Sequence, residues 1–230
     1  MAALLRPSMF MLLSTFTLAL NSLFSKLLTE YFSNAILVML RLLLPALVML
    51  FIAACSRWVM PNQAAWGAFI LRAIFIASCQ GCFMLALSRL TLIEAVVLFS
   101  TGPLFIPLLE RYFYKTKISR MVLPTLILMG IGVVMQNLTV QGITWRWELL
   151  IGLAAGFFNG CSQVALFRAS KINLPILVIN GCCFAIAALF VLPVMVIFTS
   201  QVEYQQSIIM IVNFEQGILL LLLFLGLSTA

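Results

Sequence analysis

A succession of apolar stretches, each about 20 residues long, fills nearly the whole chain, and short loops with lopsided positive charge separate them. A helix of about 20 residues crosses roughly 30 Å of hydrocarbon. This pattern predicts an all-α, polytopic transmembrane helix bundle with the lipid bilayer as its surroundings. Composition agrees: of 230 residues 64% are hydrophobic and 8% charged, too few polar groups to cover a water-facing surface. The net charge of +7 comes from basic residues set singly between apolar runs, with one denser cluster. They are expected to fix membrane orientation, and no nucleic acid is expected as a partner.

The six cysteines (Cys55, Cys79, Cys82, Cys161, Cys182, Cys183) fall almost entirely inside apolar runs, where they read as small packing residues. Cys79 and Cys82 have C-x-x-C spacing, but no second pair and no histidine completes a zinc site, so neither metal nor cofactor is expected. Arg6 precedes an apolar run longer than a signal-peptide core, which predicts an uncleaved first helix.

The expected spans are Ser8–Leu28, Asn34–Ala54, Trp66–Leu87, Leu92–Leu109, Met121–Val140, Trp147–Phe167 and Leu174–Phe198, with an eighth beginning near Phe214. Threading the chain through them puts Arg6, Arg57, Arg111, Lys115, Lys117, Arg120, Arg168 and Lys171 on one face, and Arg89 and Arg146 on the other. The positive-inside rule then places the N-terminus in the cytoplasm. Trp58, Trp66, Trp145, Trp147 and Tyr112 lie at span ends, where an apolar ring with a polar tip prefers the headgroup layer. Ile36-Leu37-Val38-Met39 in the second span is similar to Ile176-Leu177-Val178-Ile179 in the seventh, and Leu20-Asn21 to Phe158-Asn159. The repeat so implied runs over 1–140 (five helices) and 147–230 (about three). Five is odd, so the second unit enters from the opposite side, as in inverted-repeat transporters.

Few side chains in these spans can meet a solute. Ser14, Thr17, Asn21 and Ser25 recur at three- and four-residue steps and form one polar helix face, with Lys26 at its edge. Such a face lines either a helix contact or a watery cavity. Arg41 lies about 10 Å along the second span, where an unpaired arginine costs on the order of 3 kcal/mol; it is expected to face inward, and an ion-paired group with Lys26 and Glu94 is geometrically open. Glu94 is the candidate for coupling or ion pairing, since the other acids fall at span ends or in loops. Arg72, nearer the opposite face, is expected to snorkel to the headgroups. Gly102-Pro103 interrupts the middle of span four and is the candidate hinge. Gly152, Gly156 and Gly160 form two successive G-x-x-x-G steps, a close-packing signal.

Ala86-Leu87-Ser88, Glu94-Ala95, Thr101-Gly102-Pro103-Leu104-Phe105 and Gly130-Ile131-Gly132-Val133 resemble spans three to five of EamA-type transporters of the drug/metabolite transporter superfamily. Lys26, Arg41 and the stretch Gly217 to Ala230 are similar to that family's first, second and eighth spans. The resemblance implies ten spans in two inverted five-helix repeats around a central cavity that works by alternating access. Two local features differ: the family's glutamate before span five is replaced near Thr116, and Pro124 stands where glycine is common. Spans nine and ten are not found, so the second repeat is expected to be truncated. The expected function is an inner-membrane carrier, bacterial by this resemblance, for a small polar metabolite, anionic or zwitterionic. Lys26 and Arg41 would supply positive potential, Asn21, Gln80 and Asn159 hydrogen bonds, and Gly102-Pro103 flexibility. The alternative is a truncated, non-transporting membrane protein or assembly partner. An intramembrane enzyme is not expected, because the chain has no histidine or aspartate and no nucleophile set beside a base. Nothing in the sequence fixes an oligomeric state.

Overall fold

In a computed structural model the described residues are 9, 16, 17, 19–29, 33–55, 61, 63–115, 124, 127, 128, 131, 135, 147–170 and 174–198. Among them are six helices: α1 (Asn34–Cys55), α2 (Gln63–Arg89), α3 (Leu92–Phe99), α4 (Gly102–Tyr114), α5 (Trp147–Ala169) and α6 (Ile176–Phe198). Residues 19–28 form a further helical segment ahead of α1, and no strand occurs among the described residues. Five stretches are long and apolar enough to cross a membrane: Asn34–Cys55, Ala65–Arg89, Leu92–Phe113, Trp147–Ala169 and Ile176–Pro193. They match the second, third, fourth, sixth and seventh spans expected from the sequence. The first is described mainly over 19–28. The fifth is described at 124, 127, 128, 131 and 135, all helical, and the eighth lies outside the described residues.

Local chemistry sets the helix ends around span four. Thr91 opens α3 with a reciprocal cap: its backbone N–H donates to Glu94 Oε2 at 3.0 Å and its hydroxyl accepts from the Glu94 N–H at 3.4 Å. The helix stops at Phe99 because Pro103 cannot donate the next backbone bond, and α4 restarts at Gly102 with that proline in its first turn. Lys115 ends α4 in the left-handed region (φ 53°), its N–H bonded to the Arg111 carbonyl at 3.0 Å.

The glycines of α5 fix how the discontinuous span sits. A β-carbon on Gly152 would come 2.7 Å from Leu98 Cδ1, and one on Gly156 would come 2.4 Å from Thr101 Oγ1 and 2.7 Å from the Leu98 carbonyl oxygen. One on Gly160 would come 3.0 Å from the Gly102 carbonyl oxygen and 3.2 Å from Phe105 Cβ. Residues 98 to 105 therefore lie in a groove that only glycine leaves open. Apolar side chains gain little by leaving lipid tails for one another, so this close backbone approach is a source of helix adhesion here.

Both sequences of contacts ascend together, which makes α3–α4 parallel to α5. By contrast Gly67, Ala68 and Leu71 at the start of α2 face Ala165 and Arg168 at the end of α5, so that pair is antiparallel. α1 and α6 are antiparallel too: Leu50 packs on Gly181, while Asn34 and Val38 face Phe190 and Val191. Parallel neighbours in a bilayer need an odd number of crossings between them, the number the sequence assigns between α4 and α5. The same directions bring Arg111, Lys115 and Arg168 to one face and Arg89 to the other, as the charge sorting requires. At the centre Leu37, Leu42, Phe69, Met84, Leu87 and Ile179 are fully buried.

Candidate functional site

Arg41 occupies the second turn of α1 and is 5% exposed, inside the bundle as its sequence position suggested. It meets soft electron density there. Nη1 donates to Met84 Sδ at 3.4 Å, and the guanidinium carbon lies 5.3 Å from the Phe83 ring centroid, within cation–π range. Phe83 in turn packs on Phe99 of α3, ring centroids 4.7 Å apart. Arg41 Nε is buried and finds no acceptor among the described residues.

Gln80 belongs to the same patch. Cys79, Phe83 and Met84 all neighbour the Arg41 side chain. On a helix, positions 79, 80, 83 and 84 are the corners of one surface quadrilateral, so Gln80 completes the set. Its Oε1 is buried and meets no donor among the described residues. The unmatched Arg41 N–H and the unmatched Gln80 carbonyl oxygen each carry a desolvation cost of about 1–3 kcal/mol.

The other nominated residues have separate surroundings. Asn21 is 1% exposed, and the Ser25 hydroxyl donates to its backbone oxygen at 2.7 Å, so this polar face turns inward. Lys26 Nζ donates to the carbonyl oxygens of Leu87 and Leu90, the latter at 3.0 Å, at the C-terminal end of α2. Carbonyls there lack intrahelical partners and carry partial negative charge, so a lysine satisfies them well. Glu94 is half-buried and its carboxylate accepts from the Thr91 hydroxyl at 2.8 Å. Asn159 lies beside the span-four break: a β-carbon on Gly102 would come 2.9 Å from Asn159 Nδ2. Pro103, next to buried Gly102, is exposed. Gly102 and Asn159 are therefore brought together, while Lys26, Arg41 and Glu94 each engage different partners.

The snorkelling expected of Arg72 is corrected by the structure. Arg72 is 6% exposed, and Nη1 donates to Asn180 Oδ1 at 2.7 Å. Asn180 projects from α6 at the right depth to receive the guanidinium, which makes the inward rotamer the better solvated one. An asparagine inside the seventh apolar run was the available signal.

Sequence reasoning also missed a cleft among the described residues. About 700 Å³ in volume, it lies between the start of α1, the middle of α2 and the end of α6, lined by Ser33, Asn34, Ile74, Ser78, Leu85 and Phe190 among others. Val38 forms part of its wall, one turn before Arg41. Asn21, Lys26, Arg41, Gln80 and Asn159 do not line it.

Residues 5–138, more than half of the chain, match the model of the EamA-like transporter family. No curated protein and no solved structure matches the chain.

Proposed function

The chain belongs to the EamA-like transporter family, and we propose that it carries a small polar solute, anionic or zwitterionic, across the membrane by alternating access. Membership makes it a multi-pass membrane protein of a transporter family, and the five apolar helices agree. The observation that carries the finer reading is Arg41, a nearly fully buried cation whose neighbours are a thioether and an aromatic ring and whose Nε has no acceptor among the described residues. A buried guanidinium in such surroundings is stabilised by an incoming anion far more than by a neutral solute.

In this reading Arg41 receives the negative group and Gln80 Oε1 accepts from a donor on the same solute. Asn21 and Asn159 supply neutral hydrogen bonds, and the cleft walled by Val38 is the approach. Lys26 adds positive potential while holding the end of α2. The break at Gly102-Pro103, seated on the α5 glycines, is the joint about which span four shifts. Glu94 is the coupling or ion-pairing carboxylate. The two repeats, 1–140 and 147–230, are inverted relative to each other, and the cation-rich face bearing Arg168 is cytoplasmic, as is the N-terminus, in a bacterial inner membrane.

The test is a thermal-shift screen of the purified full-length protein against anionic, zwitterionic, neutral and cationic metabolites, since a ligand that binds only the folded state raises its apparent stability. Stabilisation by anionic or zwitterionic compounds, lost in Arg41→Gln, supports the reading. Stabilisers that are exclusively neutral or cationic, or that act equally on Arg41→Gln, contradict it.

A further inference from the structure

We infer that the crevice between the start of α2 and the end of α5 is a binding site for an anionic phospholipid, with Arg168 receiving the headgroup phosphate. The crevice has a volume of about 290 Å³ and is lined by Gly67, Ala68, Leu71, Ala165 and Arg168. Its size suits a glycerol backbone and the first part of an acyl chain, with the remainder of the lipid in the bilayer.

Three features favour this occupant. The first is charge and position. Arg168 is exposed in the last turn of α5, and the parallel α4 ends on the same face with Arg111 and Lys115, also exposed. Basic groups at a crevice between spans on one membrane face attract anionic headgroups, each adding about 1 kcal/mol at the surface. The second is the gradient along the crevice. Leu71 lies one turn deeper than Gly67 and is 44% exposed, continuous with the lipid-facing surface of α2. Trp66, 42% exposed beside the mouth, has the amphipathic ring that settles at headgroup level.

The third is that the floor is made of small residues with space above it. Among the described residues nothing lies within 4 Å of a β-carbon built on Gly67. Gly67 is thus unlike Gly156, where the space a side chain would take is filled by Thr101 and Leu98. The room above Gly67 serves no helix contact among the described residues and opens beside a cation. A free phosphate would satisfy Arg168 but leave the apolar depth beside Leu71 unused, so a lipid is the better fit.

The full-length protein is reconstituted in phosphatidylcholine vesicles with and without one part in five phosphatidylglycerol. Thermal unfolding and co-purified lipid are then measured for the parent, Arg168→Gln, Arg168→Lys and Gly67→Leu. The parent unfolds at a higher temperature in the anionic vesicles and retains phosphatidylglycerol in excess of its bulk share. Arg168→Gln binds it roughly five-fold more weakly, and Arg168→Lys keeps most of the effect. Gly67→Leu, which changes no charge and places its side chain in the crevice, also loses it. An effect undiminished in Arg168→Gln and Gly67→Leu overturns the proposal. So does an equal stabilisation of the parent by inorganic phosphate in pure phosphatidylcholine, which would make the ligand a soluble anion.

Discussion

Arg72 on α2 and Asn180 on α6 are joined by a 2.7 Å hydrogen bond inside the bundle, across 108 residues of sequence. The bond ties α2 to α6 at a level where the guanidinium is 6% exposed. A hydrogen bond to a charged donor contributes about 1.5–3 kcal/mol. Asn180→Leu should therefore destabilise the protein by about 2 kcal/mol in reversible or kinetic unfolding in detergent. The double variant Arg72→Met with Asn180→Leu should recover part of that loss, because an apolar pair leaves no buried charge unmatched. Equal losses in the single and double variants would show that the bond is not what the contact depends on.

The glycines of α5 differ from the open ones of α2 in a way that unfolding measurements can read. Gly156→Ala places a β-carbon against the Thr101 hydroxyl and the Leu98 carbonyl and should cost about 1–3 kcal/mol through forced backbone shifts. Gly81→Ala meets nothing within 4 Å among the described residues and should be neutral or stabilising by up to about 1 kcal/mol, the helix-propensity difference.

Lys26 and Arg41 should separate in their effects. Lys26 bonds carbonyls at the end of α2, so Lys26→Met should lower thermal stability by about 1–2 kcal/mol. It should weaken the charge preference of ligand-induced stabilisation less than Arg41→Gln does, whereas a preference left fully intact would confine Lys26 to holding the end of α2.

These contrasts show which parts of the molecule can be read from the chain. Span positions were legible because lipid imposes one length and one composition on each crossing. The break before Gly102 and the packing face of Gly152, Gly156 and Gly160 were legible because proline and glycine act through their own backbone. The inward turn of Arg41 followed from its depth. Partners were not legible. Asn180 could be matched to Arg72 only once α2 and α6 were known to pack, and Lys26 binds main-chain oxygens, which every residue carries. Glu94 was legible as a candidate for coupling or ion pairing, but its reciprocal cap with Thr91 was not read from the chain. The cleft at Ser33, Asn34 and Ser78 is a gap between three helices, a product of their packing rather than of a local pattern.

The central claim is that the buried guanidinium of Arg41 receives the solute's negative group. It is tested most directly by uptake of the best-stabilising anionic or zwitterionic solute into vesicles carrying parent, Arg41→Lys or Arg41→Gln protein at matched insertion. Arg41→Gln should lose about tenfold or more, equivalent to the 1.4 kcal/mol or more expected of a charge-assisted contact, with an intermediate rate in Arg41→Lys. Uptake by Arg41→Gln equal to that of the parent would contradict it.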